Sequence, residues 1–261
     1  MISMGKIISM IFCVVICVAV IAIPSLMIKK RSSKLETGLL GALCYGFLGY
    51  VWQYIFFIFF ATFVMGTLKN TGVFLQILMT LASTALTILS LFWGIYLTNQ
   101  KQRSLYRSAA IGIGFSCGKM AIELIYSNLY RVYFAFQING GTFQADPEIK
   151  ASILSTSTTT IYLDTYRCVL MFFVVFALAL IMGHLYLKED VKKMSILAGI
   201  LYEVVTLVNL LLGSVIPGIA GTIVQLVFLT AVGAAAAMIL WNWFRTGKVV
   251  LNPLEIMRKE K

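Results

Sequence analysis

Apolar residues run along this chain in blocks of twenty or more, broken by short polar or basic stretches. Crossing the hydrocarbon core of a bilayer as a helix takes roughly 20 mostly apolar residues. The blocks at 7–27, 37–67, 73–98, 108–130, 161–187, 194–216 and 219–244 each meet that length, and they predict about seven transmembrane helices forming one helical-bundle domain over 1–261. The expected fold is all-α, a polytopic membrane bundle. The first block begins after Lys6, as a signal peptide would, but it ends in Lys29-Lys30-Arg31 instead of a small-residue cleavage site, and it is read as a retained span. The second block exceeds what a perpendicular helix needs, which predicts tilt or extension beyond the bilayer.

Composition agrees: 60% of residues are hydrophobic and 12% charged, about half the charged share of a soluble domain. The formal charge of +11 would suggest nucleic acid in a soluble protein, so the position of the cations decides its meaning. Most lie in alternate breaks: Lys29, Lys30, Arg31 and Lys34; then Lys101, Arg103 and Arg107; then Lys188, Lys192 and Lys193; then the tail with Arg245, Lys248, Arg258, Lys259 and Lys261. The other side holds Lys6, Lys69, Arg131 and Lys150. The positive-inside rule then places the N-terminus outside, the C-terminus in the cytoplasm and the protein in the cell membrane. Its predicted surroundings are lipid, with a hydrophobic peptide or another membrane protein as partner and no nucleic acid. The tail cations suit anionic headgroups.

One outer connection is long, about 138–160, with Gly140, Gly141, Pro147 and the Ser/Thr-rich 155–160; it reads as a solvated connector before it reads as a lid. Small residues at Ala42 and Gly46, Gly114 and Gly118, and Gly233 beside four alanines mark seams where helices approach closely. Cys13, Cys17, Cys44, Cys117 and Cys168 fall within spans without a CxxC pair and read as structural thiols. With His184 the only histidine, placed near the cytoplasmic end of the fifth span, no metal site of ordinary ligand count is expected, and no cofactor is predicted. Neither GxxxxGK[ST] nor GxSxG occurs.

Charged residues at membrane depth are costly enough to be functional candidates. The fourth span carries Lys119 and Glu123, the fifth Asp164 and Arg167, and the sixth Glu203 beside Tyr202. The first two couples lie four and three apart, on one helix face each. At about 1.5 Å per residue, Glu123 is roughly 24 Å from the inner end of its span and Arg167 roughly 10 Å below the outer end of its own. In a core of about 30 Å those levels nearly match. Lys119 and Glu203 likewise share a mid-membrane level. These depths predict a polar cluster across the fourth, fifth and sixth spans, biased outward, acting either as ion pairs that fix register or as a site. A small transporter relaying ions through Lys119, Glu123 and Glu203 is one reading of such a site.

The string Ala110-Ile-Gly-Ile-Gly-Phe-Ser-Cys-Gly-Lys-Met-Ala-Ile-Glu123 resembles the glycine-rich run ending in glutamate of the YhfC family, bacterial intramembrane peptidases related to the CAAX-protease and bacteriocin-processing superfamily. The Gly-rich second span (Gly38-Leu-Leu-Gly-Ala-Leu), the long outer loop and the charged fifth span follow in the same order. The resemblance implies that Glu123 is a general base acting on water, with Arg167 as the arginine of a Glu-Arg pair. Tyr166 stands where that pair has its glutamate, an apolar residue near Val174 replaces one histidine, and Leu201-Tyr202-Glu203 replaces another. On this pattern Glu123, Arg167 and Glu203 are the catalytic candidates, and Lys119, Asp164 and Tyr202 the binding candidates. The missing histidines imply a degenerate member that binds peptide without cutting it, or a subunit of a membrane complex.

Overall fold

The computed structural model describes residues 2–31, 38–67, 72–100, 103–143, 147–216 and 218–249. Thr37, Lys34, Lys69, Lys101, Arg258, Lys259 and Lys261 of the preceding reading lie outside them. The described chain is helical: α1 (Met4–Arg31), α2 (Gly38–Thr67), α3 (Val73–Asn99), α4 (Leu105–Met120), a π-helical segment (Ala121–Tyr126), α5 (Ser127–Gly140), α6 (Pro147–Ser155), α7 (Thr158–Leu187), α8 (Val191–Val215) and α9 (Gly218–Thr246). Because α4, the π segment and α5 run on as one rod over Leu105–Gly140, seven helices among the described residues are long and apolar enough to cross a membrane. The protein is a multi-pass membrane helix bundle.

Two boundaries differ from expectation. The fourth span does not stop near Tyr130 but continues to Gly140, where Gly141 takes a left-handed conformation and its N–H returns to the carbonyls of Gln137 and Ile138. Aromatic and polar residues from Tyr130 onward lowered the apolar signal without breaking the helix. The long connection is likewise no simple solvated loop, since α6 occupies its middle. Ile153 is buried in a small cluster with Ile2, Ile7 and Ala135, against which Ile149 packs. The Lys6 ammonium donates to the carbonyl of Ile153 at 2.6 Å and of Leu154 at 3.3 Å, capping the last turn of α6. Asn139 closes the same corner: it accepts from the Ile2 N–H at 2.7 Å and donates to the Ile2 carbonyl at 2.9 Å. Substituting Lys6→Met is therefore expected to speed amide hydrogen exchange over 147–155 about fivefold, the equivalent of about 1 kcal/mol, with α4 and α7 unchanged; equal exchange in the two proteins would show that apolar contact alone holds α6.

These contacts fix one end of the bundle, the one that the charge pattern predicts to be outer, where the N-terminus, α5 and α6 meet. At the other end Arg103 Nη1 meets Glu189 Oε1 at 2.8 Å, joining the α3–α4 and α7–α8 connections, and Arg107 donates to the Thr98 carbonyl at 3.0 Å. Lys193 and Asp190 pair there at 2.8 Å, and this pairing raises the lysine pKa. The described basic connections thus share one end.

The rod α4 and the helix α7 form the centre, and together they hold most of the main buried cluster. They touch through missing side chains: a Cβ on Gly112 would come within 2.6 Å of the Ala179 methyl, and one on Gly183 would run into Ser108. The α2–α4 seam is tighter still. A Cβ on Gly46 would strike the Ile111 carbonyl oxygen, and one on Gly114 the Leu43 carbonyl oxygen. Gly233 gives Leu170 its space between α9 and α7. Around this core, α2, α3, α8 and α9 form an arc in chain contact with one another, and α1 lies on the opposite side against α4, α5 and α7.

Candidate functional site

The α2–α4 seam also builds the site. A Cβ on Gly118 would lie 2.9 Å from the Tyr50 Cβ, so the glycine lets α2 come close enough for Tyr50 to reach across α4. Buried Tyr50 stands edge-on to Phe115, ring centroids 5.4 Å apart, and donates its hydroxyl proton to Glu123 Oε1 at 2.7 Å. Glu123 lies within the π segment, and its side chain is exposed toward a cavity of about 320 Å3.

Lys119, Glu123, Ser127 and Arg131 all line that cavity. Four-residue steps overshoot an α-helical turn by about 40° each, so in a regular helix the stripe would drift off the face. The π segment widens the turn between Lys119 and Ser127 and takes up the overshoot, as such insertions do at many functional sites. On α7 the lining residues Ile161, Asp164, Arg167, Cys168 and Met171 follow ordinary helical spacing. Asn128, Asn209 of α8 and Leu229 of α9 complete the wall.

Counted from the start of α4 and from the start of α7 at the opposite end, these residues occupy the half of the bundle nearer the N-terminus, the outer half on the predicted orientation. Two carboxylates and three cations converge there. Arg167 Nη2 donates to Gln225 Oε1 at 3.3 Å, and its Nη1 lies 3.9 Å from Asp164 Oδ1. Gln225 Nε2 in turn donates to the Asn209 carbonyl at 2.7 Å, in space left by Gly213. A polar chain therefore ties α7 to α9 and α8. Among the described residues the buried Asn128 and Asn209 Oδ1 atoms have no hydrogen-bond partner, and such atoms favour a bound water or ligand group.

Lys119 borders a second cavity as well, about 360 Å3, lined by Thr80, Ser83, Thr84, Tyr202, Thr206 and Asn209 among others. Its electrostatic neighbours are Tyr202, Glu123 and Cys168. Tyr202 is buried against it, whereas Glu203, one residue on, faces a separate groove between α3 and α8. The structure thus brings together Lys119, Glu123, Asp164 and Arg167, places Tyr202 at the adjoining cavity, and leaves Glu203 out of both. Shared depth did not translate into shared direction, because neighbouring residues on α8 point about 100° apart. Tyr166 turns away from the cavity to Thr230, hydroxyl oxygens 2.8 Å apart. His184 lines none of these spaces.

Three contributors escaped the sequence reading. Arg131 was counted among the outer-side cations, although its spacing from Lys119, Glu123 and Ser127 was visible. Tyr50 and Asn209 carried no signal, being ordinary polar residues in apolar helices. All five cysteines are free thiols, Cys168 at the cavity wall, and among the described residues no three His, Cys, Asp or Glu side chains converge as a metal-ligand set. No family model, curated protein or solved structure matches the chain.

Proposed function

We propose that this membrane protein binds a polar segment of a peptide in the outer cavity without hydrolysing it, as a non-catalytic relative of the intramembrane peptidases that its fourth span resembles. The convergence of Glu123, Asp164, Lys119, Arg131 and Arg167 on one cavity in the outer half carries this reading. A peptide presents N–H donors, carbonyl acceptors and charges of either sign, and a mixed wall of carboxylates and guanidinium forks can meet all of them. The volume suits a short segment. Hydrolysis asks for more. A general base needs a free oxygen facing water and a partner to protonate the leaving amine. Glu123 Oε1 accepts from Tyr50, which leaves Oε2 to face the cavity, but no histidine lines that cavity to protonate the leaving amine.

The placement of Glu123 on the π segment, exposed to the cavity with Lys119 nearby, supports the competing reading, in which Glu123 activates water and Lys119 offsets the developing charge. A transmembrane reporter carrying a photo-crosslinking residue separates the two. With protein reconstituted in lipid, the reporter is expected to crosslink and stay intact. Arg167→Ala is expected to weaken capture roughly thirtyfold, the equivalent of about 2 kcal/mol for a charge-assisted hydrogen bond. Cleavage by the wild type that disappears in Glu123→Gln would replace binding by hydrolysis.

A further inference from the structure

Between α3 and α8 runs a groove of about 860 Å3 that is separate from the outer cavity and different in kind. Its walls are Leu81, Ala85, Ile88, Leu89 and Phe92 on one side and Ile196, Ile200 and Val204 on the other, with Gly199 at its floor. It extends from near the inner end of α8 to mid-membrane, counting from Val191. At its mid-membrane end stand Glu203 and Thr84. Thr84 and Thr206 close that end, hydroxyl oxygens 3.2 Å apart, and separate the groove from the cavity beside Lys119.

Glu203 does not belong in such a setting by packing alone. Its Oε1 is buried, and among the described residues it has no hydrogen-bond partner and the side chain forms no ion pair. A carboxylate in an apolar surround requires a compensating charge or hydrogen bond. The wall offers none: Thr84 is engaged with Thr206, and every other lining side chain is apolar or absent. Lys119 lines the neighbouring cavity with Tyr202, not this groove.

We infer that the α3–α8 groove is a binding site for lipophilic cations, with the positive centre at Glu203 and the apolar body along Leu81, Ile88, Phe92, Ile196 and Ile200. Charge complementarity selects this occupant over a phospholipid acyl chain. A hydrocarbon tail would fill the apolar walls and leave the carboxylate as it is, whereas a diffuse cation with an apolar shell satisfies both. The volume lies in the range of pockets for drug-sized ligands. The site stands independently of the peptide reading above, because none of the outer-cavity charges lines it.

The test uses the full chain in lipid nanodiscs and a pair of probes of one shape and opposite charge, tetraphenylphosphonium and tetraphenylborate, with binding measured by equilibrium dialysis against empty nanodiscs. Wild type is expected to retain tetraphenylphosphonium specifically and to exclude tetraphenylborate. Glu203→Gln keeps the size of the side chain and is expected to lower phosphonium binding at least about tenfold, removing the preference for the cation. Gly199→Leu supplies a second arm. A Cβ there meets nothing within 4 Å, so the larger side chain fills the groove without striking a neighbour at its root and favours the helix. It is expected to abolish binding of the probe while the protein keeps its thermal midpoint. Equal retention of both probes by the wild type, or undiminished phosphonium binding in Glu203→Gln, would overturn the proposal.

Discussion

Replacing Gly114 of α4 by leucine is expected to yield no monodisperse folded protein, whereas the same replacement at Gly41, on the partner helix α2, is expected to be nearly silent. The two sites share residue type and membrane setting and differ in what a side chain would meet. At Gly114 even a Cβ would collide with the Leu43 backbone, first its carbonyl oxygen and then its carbonyl carbon at 2.9 Å. Backbone atoms inside a helix cannot step aside as a flexible side chain would. The two helices must separate, and the same motion would withdraw Tyr50 from Glu123, since Gly118 lies one turn further along the same seam. Overpacking within a core costs typically 1–3 kcal/mol even where neighbours can shift; parting the most extensive helix pair of the bundle should exceed about 5 kcal/mol, comparable to a whole domain's stability. At Gly41 a Cβ meets nothing within 4 Å, and leucine is the better helix former there, so the change should stay within about 1 kcal/mol. Size-exclusion profiles and thermal midpoints of the two variants in one detergent check the contrast. Two well-folded variants would mean that α2 and α4 do not meet through Gly114.

Much of this bundle is legible in the sequence because lipid imposes one requirement, the satisfaction of every backbone polar group within a long apolar helix. Block length therefore located all seven spans, and the small residues Gly46, Gly114 and Gly118 located the tightest seam. Where the apolar signal faded, legibility faded with it. The outer end of α5 and the whole of α6 are amphipathic, held by Lys6, Asn139 and a few isoleucines, and read as a connection. The site was partly visible, as helical spacing coupled Lys119 with Glu123 and Asp164 with Arg167, and depth matched Glu123 to Arg167. Direction was not. Ala121–Tyr126 contains neither glycine nor proline, so nothing local announces the π segment, yet that segment keeps Arg131 on the face of Lys119 and Glu123. Glu203 shows the converse, a residue at the expected depth that faces another space.

Lys119 and Glu123 are expected to be unequal partners, with Glu123→Gln lowering stability more than Lys119→Met and the double variant regaining most of the loss. The reasoning follows where each charge sits. Glu123 is exposed to the cavity and keeps a hydrogen bond from Tyr50, so when the lysine is removed the carboxylate retains both water and a donor. Lys119 is more enclosed, wedged between the two cavities, with Glu123 and the Tyr202 hydroxyl as its chief electrostatic neighbours. Taking the carboxylate away removes the one acidic side chain among the chief neighbours of an enclosed ammonium and leaves it the Tyr202 hydroxyl. Breaking a fully buried pair costs about 3–5 kcal/mol; because Glu123 meets the cavity, screening brings the expected loss for Glu123→Gln down to about 1–2 kcal/mol, and Lys119→Met should cost less than about 1 kcal/mol. In the double variant the uncompensated cation is gone and the methionine packs against Met171, so the loss should be smaller than for Glu123→Gln alone, a coupling that a double-mutant cycle isolates. Thermal midpoints of the four proteins in nanodiscs decide it. Strictly additive losses would mean that the two residues share a cavity wall without sharing a charge balance, and the peptide proposed for this cavity would then have to be held by Arg131 and Arg167, with Lys119 as a bystander.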